Sequence, residues 1–283
     1  RATPSIAPLT IALASLVLNL TIVTFRELPE PSVHDEFAYI LSADTFASGR
    51  ITNPTPACWE HFETYHVFQH PTRQSKYPPA QAFSLAFGKV HLGDFYWGVI
   101  IALAAGCVAV WWALRAVFPP HLAFLGGILI ATNPEVINWW GQSYWGGGVA
   151  MLGGALFYGA LFRLLKTLAL RNVLILLVGA MVMANSRPLC GVIVTALALP
   201  LLCHAWRRAC SASDIRGPTL TLIAPTAIAA LLLASGLLYY NYRLTGSPFD
   251  FYYTHWQHDM SPVEAIRQYR GSPQLPLPYK LWR

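Results

Sequence analysis

Charged residues are scarce in this sequence, and the motifs of several large enzyme classes are missing. Only 11% of the 283 residues are Asp, Glu, Lys or Arg. The chain contains no Gly-x-Ser-x-Gly, Walker loop, Rossmann fingerprint or His-Glu-x-x-His, so hydrolase and nucleotide-dependent chemistries have no support. There is also no basic run of the kind that follows a phosphate backbone. A nucleic-acid partner is therefore not expected.

The five cysteines form no recognisable framework. They are scattered along the chain as Cys58, Cys107, Cys190, Cys203 and Cys210, with no Cys-x-x-Cys pair. Four of them lie in or beside apolar segments. A disulfide scaffold is therefore not predicted.

Apolar residues, in contrast, are abundant. They make up 55% of the chain, and the mean hydropathy is +0.43. A membrane-spanning helix needs about 20 apolar residues, and several runs reach or approach this length. The sequence predicts an all-α, polytopic membrane helix bundle with about seven transmembrane helices. The expected spans are residues 6–25, 95–117, 122–139, 149–165, 173–186, 191–206 and 220–240.

One long polar interval, residues 34–79, interrupts these runs. Inside it the spacing of apolar residues predicts an amphipathic helix over 36–48 at the membrane surface. A short apolar piece at 80–92 then predicts an interfacial or re-entrant helix. We expect residues 1–240 to form a transmembrane catalytic module in which 26–79 is the first extracytoplasmic loop. Residues 241–283 are expected to be an extracytoplasmic tail or the start of a larger C-terminal region.

The distribution of basic residues predicts the orientation. If the loop 26–79 lies outside, three short inner loops hold seven basic residues, whereas the short outer connections hold only Arg187. The seven are Arg115, Arg163, Lys166, Arg171, Arg207, Arg208 and Arg216. Such asymmetry is the positive-inside pattern. It predicts a multi-pass protein of the cytoplasmic (inner) membrane with its site on the extracytoplasmic face.

The strongest candidates for chemistry are two adjacent carboxylates, Asp35 and Glu36, directly after the first apolar run. One interpretation is a pair of solvated acids at a helix N-terminus. The other is a general base at the membrane boundary, where partial desolvation raises the pKa of a carboxylate enough for it to accept a proton from a hydroxyl.

Cations are expected on the same side of the membrane. Arg73 and Lys76 precede a double proline, and Arg187 lies in an otherwise apolar segment. They either reach towards lipid head groups or bind the phosphate of a lipid-linked substrate. Further candidates for substrate binding are His66, Tyr77, Tyr144, Trp145, Gly146 and Gly147. The glycines 146–148 at a helix start permit either anion binding or close helix packing.

A metal site is a weaker alternative within the polar interval. Cys58, Glu60, His61, Glu63, His66 and His70 are metal-ligating residue types, but their spacing matches no recognised metal motif. No cofactor and no metal are predicted, and a divalent cation stays open as an alternative.

The order of features resembles that of the C-type integral-membrane glycosyltransferases (GT-C), in particular the protein O-mannosyltransferase and aminoarabinose transferase branch. An Asp-Glu pair follows the first apolar run, then comes FAYILSADTFASGRITNP, and then KYPPAQAFSLAFGKVHLG. The resemblance is clearest over residues 30–95. Beyond that, only the rhythm of helices matches, to about residue 240.

This resemblance implies transfer of a sugar from a polyprenyl-phosphate donor to an acceptor hydroxyl of a lipid, glycan or protein. Asp35 would be the catalytic base. Lys76 or, because Tyr77 separates Lys76 from the prolines, Arg73 would contact the donor phosphate. Two other functions stay open. One is a non-catalytic lipid or glycolipid transporter or binding protein, and the other is a metal-dependent membrane hydrolase.

Overall fold

The computed structural model describes residues 6–62, 64–212 and 216–258, and these residues are mostly helical. Ten α-helices are present in this part of the chain. Their bounds are α1 Ile6–Phe25, α2 His34–Ala47, α3 Pro79–Leu92, α4 Phe95–Leu114, α5 Pro120–Ala131, α6 Gly147–Leu164, α7 Leu170–Ala184, α8 Pro188–Ala212, α9 Arg216–Thr245 and α10 Tyr252–His258. A 3-10 turn covers Trp59–Phe62, and a π-helical segment covers Val136–Gly141.

Five of the helices contain a stretch long and apolar enough to cross a membrane. These stretches are Ile6–Phe25, Phe95–Leu114, Gly147–Leu164, Pro188–Arg208 and Ile223–Thr245. The prediction of a mostly helical chain with several helices long and apolar enough to span a membrane is confirmed. Two of the seven predicted spans, 122–139 and 173–186, correspond to the shorter helices α5 and α7, of 12 and 15 residues.

The all-α fold class agrees with the mostly helical structure, to which one small sheet is added. The first loop contains a two-stranded antiparallel sheet, with β1 Val67–Phe68 and β2 Gln74–Ser75. Gln74 fixes this hairpin to α2, since its buried side chain accepts a hydrogen bond from the Ser42 hydroxyl and donates one to the Ile51 carbonyl. Strands of two residues have too little alternation to be recognised in a sequence.

Helix α4 lies at the centre of the bundle, where it packs most extensively on α6 and also contacts α1, α3 and α5. At one end, which we call the loop end, the Gln142 amide donates to Asn19 Oδ1 at 3.1 Å and to the Tyr96 hydroxyl at 3.0 Å. These bonds join α1, α4 and the π-helical segment. The loop 26–79 leaves α1 and returns into α3 at this end.

Basic residues collect at the opposite end, which we call the basic end. Arg163 donates to the Trp112 carbonyl, Lys166 to the Ala116 carbonyl, and Arg208 to the Leu165 carbonyl. Three of the predicted inner loops therefore meet in space. The acidic pair Asp35–Glu36 lies at the other end of the bundle.

Helices α3 and α4 form a tight hairpin. Gly93 ends α3 with a φ of 86°, and Asp94 begins α4 by accepting a hydrogen bond from the Tyr96 N–H at 2.7 Å. The two helices approach at Gly88 and Gly98, where the absence of side chains lets the backbones touch. A Cβ atom on Gly98 would overlap the carbonyl oxygen of Ser84.

We expect Gly98→Ala to destabilise the protein by about 2 kcal/mol, because an added methyl group in a close-packed contact forces the backbones apart. The thermal midpoint of detergent-purified protein measures this effect. Gly236→Ala is the matched control, since nothing lies within 4 Å of the added atom there. An equal midpoint for Gly98→Ala and wild type would contradict the tight α3–α4 contact.

Candidate functional site

Asp35 stands on the first turn of α2 and is held by two neighbours from the first loop. Its Oδ1 lies 3.0 Å from Nε2 of His66, and its carboxylate also bonds the Tyr77 hydroxyl. The Asp35 side chain is 42% exposed, whereas that of His66 is 22% exposed. The carboxylate therefore has a fixed orientation and still faces outwards.

The hydrogen bond from His66 lowers the pKa of Asp35 below the usual range of an aspartate, and the Tyr77 hydroxyl and the charges of His66 and Lys76 act in the same direction. Burial acts in the opposite direction and is outweighed. The sequence-based expectation of a raised pKa is therefore wrong, because hydrogen bonds to the charged form of a carboxylate favour ionisation more than partial burial opposes it. Asp35 is ionised at neutral pH.

His66 has an unusual backbone conformation. Its φ is 67°, in the left-handed region that non-glycine residues seldom adopt. The Lys76 N–H donates to the His66 carbonyl at 2.9 Å, so the residue is held at the end of the β1–β2 hairpin. Its Nδ1 atom is buried. The hairpin thus fixes the imidazole with Nε2 towards Asp35.

Lys76 follows β2 and is only 9% exposed. Burial lowers the pKa of its ammonium group, and the Asp35 carboxylate partly opposes this by favouring the charged form. The ammonium lies 5.3 Å from the centre of the Tyr77 ring and 5.8 Å from the centre of the Tyr253 ring. The Lys76 ammonium and the Asp35 carboxylate therefore both contact Tyr77, one through the ring and the other through the hydroxyl.

Tyr39 joins Asp35, His66, Lys76 and Tyr77 in one group of side chains, which we call the Asp35 cluster, and was not predicted from the sequence. It lies four residues after Asp35, on the same face of α2, and its ring stacks on Tyr77 at 4.7 Å. Burial raises its pKa to about 12, while the charge of Arg187 acts to lower it. The i, i+4 spacing from Asp35 is the signal that could have identified Tyr39.

The other two predicted phosphate-binding cations, Arg187 and Arg73, lie in different surroundings. Arg187 is exposed just before α8, and its guanidinium lies 3.5 Å from the Trp145 carbonyl. Its charge reaches Tyr39. Arg73 pairs with Asn53 through backbone hydrogen bonds, and within the described ranges its guanidinium forms no ion pair and Nε is buried without a hydrogen-bond partner. Arg187, not Arg73, is thus the second cation near the cluster.

Glu36 is separated from Asp35 in both direction and environment. Its side chain is 3% exposed. Oε2 accepts a hydrogen bond from the Ser32 N–H at 2.8 Å, and Oε1 accepts one from the Tyr144 N–H at 2.9 Å. The carboxylate holds the start of α2 against the loop before α6. This geometry gives Glu36 a positioning role.

The segment 143–148 is also used for packing. Tyr144 is buried, and its hydroxyl donates to the Pro29 carbonyl. Trp145 stacks on Trp139. A Cβ on Gly146 would meet the Gln81 side chain at 3.1 Å, and one on Gly147 would overlap the Trp140 ring. Of the two interpretations of these glycines, close packing agrees with the structure.

The predicted metal-ligating residues do not converge. In the part of the chain that the structure describes, no group of three His, Cys, Asp or Glu side chains could hold an ion. The imidazole of His70 lies against Trp59, whereas His66 bonds Asp35. Glu63 lies outside the described residues.

Comparison with protein-family models, curated proteins and solved structures finds no match for this chain.

Proposed function

We propose that the chain is a membrane-embedded transferase. More specifically, we propose a GT-C-like glycosyltransferase that moves a sugar from a polyprenyl-phosphate donor to an acceptor hydroxyl of a lipid, glycan or protein. One observation carries this proposal. An oriented, ionised carboxylate, Asp35, lies beside a buried ammonium, Lys76, at one end of an apolar helix bundle. The left-handed conformation of His66 supports it, since such backbone strain clusters at functional sites.

The chemistry needs one proton acceptor and a stabilised leaving group. In the proposed step the acceptor oxygen forms a bond to the anomeric carbon while its proton passes to Asp35. The bond between that carbon and the phosphate oxygen breaks, and its electron pair leaves with the polyprenyl phosphate. Lys76 and Arg187 stabilise the negative charge that develops on this phosphate.

Asp35, and not His66, is the proposed base. His66 directs Nε2 to Asp35, and its Nδ1 is buried away from solvent. The Asp35 carboxylate is the more exposed member of the pair and can approach an acceptor hydroxyl. His66 and Tyr77 are then positioning residues that fix the direction of the carboxylate. Such orientation matters because a general base must lie within hydrogen-bond reach of the proton that it accepts.

We further propose seven membrane crossings, made by the five long helices together with α5, extended by its π-helical segment, and α7. Successive crossings then alternate between the loop end and the basic end. The positive-inside rule assigns the basic end to the cytoplasm and the Asp35 cluster to the extracytoplasmic face of the cytoplasmic membrane. Helix α2 would lie at that surface, where Phe37 is 56% exposed and available to lipid.

A second candidate function is a lipid-binding or lipid-transporting protein without catalysis. An apolar cavity of about 610 Å³ near the basic end favours it. The cavity is lined by α7, α8 and α9 through residues such as Leu176, Leu202 and Ile223. A lipid chain could occupy this space in either function. Retention of lipid binding together with absence of any transfer by the purified wild-type protein would favour this second candidate.

The direct test of the donor class is mass spectrometry of lipids that co-purify with the protein. A bound polyprenyl-phosphate sugar is the expected result. Co-purification of ordinary phospholipids alone, combined with no measurable affinity for added polyprenyl phosphate, would overturn the proposal.

We expect Lys76→Ala to weaken binding of polyprenyl phosphate by about 10-fold or more, because a charge-assisted hydrogen bond to a phosphate oxygen is lost. Titration of the lipid into protein in nanodiscs measures the affinity. Lys89→Ala is the matched control. Lys89 also lies over an aromatic ring, that of Phe95, but on α3 and outside the Asp35 cluster. Equal affinities of the two variants would remove Lys76 from the proposed site.

A further inference from the structure

The chain returns to the first loop after α9. Residues 246–258, which we call the return segment, follow the end of α9 and include α10. The Leu244 carbonyl, at the end of α9, accepts a hydrogen bond from the Thr72 hydroxyl at 2.9 Å. Within the return segment, Nε2 of His255 lies 2.9 Å from the His70 carbonyl oxygen. The segment is thus tied to the hairpin that carries His66 and Lys76.

Two further features hold the return segment in place. Nδ1 of His255 lies 2.6 Å from Oδ2 of Asp250, so both ring nitrogens of this histidine face oxygen atoms. The Tyr252 side chain is fully buried against Phe68 and Tyr240. These contacts determine which way the next side chain points. Tyr253, in contrast to Tyr252, is 39% exposed.

Tyr253 faces the Asp35 cluster. Its ring centre is 5.8 Å from Nζ of Lys76. The centre of the Tyr77 ring lies 5.3 Å from the same nitrogen. Burial is the main cause of the raised pKa of Tyr39 and of Tyr77, and Tyr253 acts in the same direction. The rings of Tyr77 and Tyr253 therefore both face the Lys76 ammonium group, and Tyr39 stacks on Tyr77.

We propose that the return segment forms a wall of the substrate site and that Tyr253 is a positioning residue for the phosphate-binding ammonium of Lys76. The ring faces of Tyr77 and Tyr253 attract the cation and restrict its position. The phosphate then meets an ammonium that is already oriented, so less side-chain entropy is lost on binding. The identity of the ligand rests on the proposed function, whereas the placement of Tyr253 does not.

A chemical measurement on the protein alone tests the placement. Acetic anhydride labels lysine amines, and mass spectrometry gives the rate at Lys76. We expect Tyr253→Leu to raise this rate about threefold or more, because one wall over the amine is lost, and Tyr253→Phe to leave it near the wild-type value. His255→Ala should raise it as well, by releasing the return segment. Labelling of Lys89 provides the internal standard.

Tyr242→Leu is the matched control variant, since Tyr242 is an exposed tyrosine (54%) near the end of α9, outside the return segment. An unchanged Lys76 labelling rate in Tyr253→Leu would overturn the proposal. The proposal would also fail if the Phe variant labelled as fast as the Leu variant, because the hydroxyl group and not the ring face would then be responsible.

A second readout connects Tyr253 to the ligand. For the transfer reaction, Tyr253→Leu should raise the KM for the polyprenyl-phosphate donor about threefold with little change in kcat, and Tyr253→Phe should restore the wild-type KM. A fall in kcat at constant KM would contradict a positioning role. If the labelling rates change as expected while no protein, wild type included, transfers sugar, the placement of Tyr253 stands and the glycosyltransferase assignment fails.

Discussion

The Asp35→Asn variant should lose sugar transfer by a factor of about 10² to 10⁴, the range typical of removing a general base. Asparagine keeps the shape of the side chain, and its Oδ1 can still accept a hydrogen bond from Nε2 of His66. It cannot accept a proton from the acceptor hydroxyl. The variant should therefore fold and bind polyprenyl phosphate, so the loss should appear in kcat. Transfer from a labelled lipid donor in purified membranes measures it.

Asp44→Asn is the matched control for this experiment. Asp44 lies on the same helix, α2, and is exposed. The control should retain the full transfer rate and the same level of protein in the membrane. Wild-type activity of Asp35→Asn, at an expression level equal to that of Asp44→Asn, would remove Asp35 from the reaction and with it the proposed mechanism.

The lowered pKa of Asp35 determines how it would act as the proposed base. Because the hydrogen bond from His66 holds the pKa of the Asp35 carboxyl below its usual range, the ionised form persists across the neutral range. A carboxylate of low basicity accepts a proton late in the reaction, when the acceptor oxygen has already begun to bond to the sugar. Departure of the phosphate, assisted by Lys76, would then lead the step. This differs from a base activated by desolvation, as expected from the sequence.

Local sequence patterns were sufficient to predict much of the helical structure and two residues of the candidate site. The apolar runs at 6–25 and 95–117 correspond to α1 and α4 because spanning helices require long uninterrupted apolar stretches. The observed bounds of α2 and α3 lie within two residues of the predicted ranges 36–48 and 80–92. Asp35 and Lys76 were both predicted as site residues, and in the structure they lie within electrostatic reach of each other.

Features made by distant residues could not be predicted in this way. Tyr253 reaches Lys76 through the fold of α9, and His255 contacts a carbonyl 185 positions earlier in the chain. The hydrogen bond between Thr72 and Leu244 spans 172 positions. Contacts between residues so far apart in the chain leave no signal in the hydrophobic periodicity or in the spacing of motifs. The helix over the predicted span 220–240, α9, continues to Thr245, after which the return segment begins.

The sequence presents Asp35 and Glu36 as equivalent acids, but consecutive helix residues point about 100° apart. Asp35 faces His66, while Glu36 turns into the protein. Because the Glu36 carboxylate accepts hydrogen bonds on both oxygens, it joins the polypeptide before α2 to the loop before α6. A buried acceptor of this kind contributes more to stability than an exposed one. The two neighbours should therefore fail in different ways when substituted.

Glu36→Gln should lower the free energy of unfolding by about 3 kcal/mol, since hydrogen bonds to a buried charged group are each worth about 1.5–3 kcal/mol. Glutamine has one oxygen where glutamate has two. It can satisfy either the N–H groups of Ser32 and Val33 or the N–H group of Tyr144, and its own NH₂ then faces the remaining donors. The thermal midpoint in detergent should fall by about 5 °C or more.

Glu30→Gln provides the comparison, because Glu30 is an exposed acid in the same connection between α1 and α2 and should leave the midpoint unchanged. The folded fraction of Glu36→Gln should transfer sugar with a kcat within a few-fold of wild type, since Asp35 is intact. The opposite pattern, an unchanged midpoint with kcat reduced as in Asp35→Asn, would identify Glu36 as the base and give Asp35 the structural role. The two acids are thus distinguished by measuring stability and turnover on the same pair of variants.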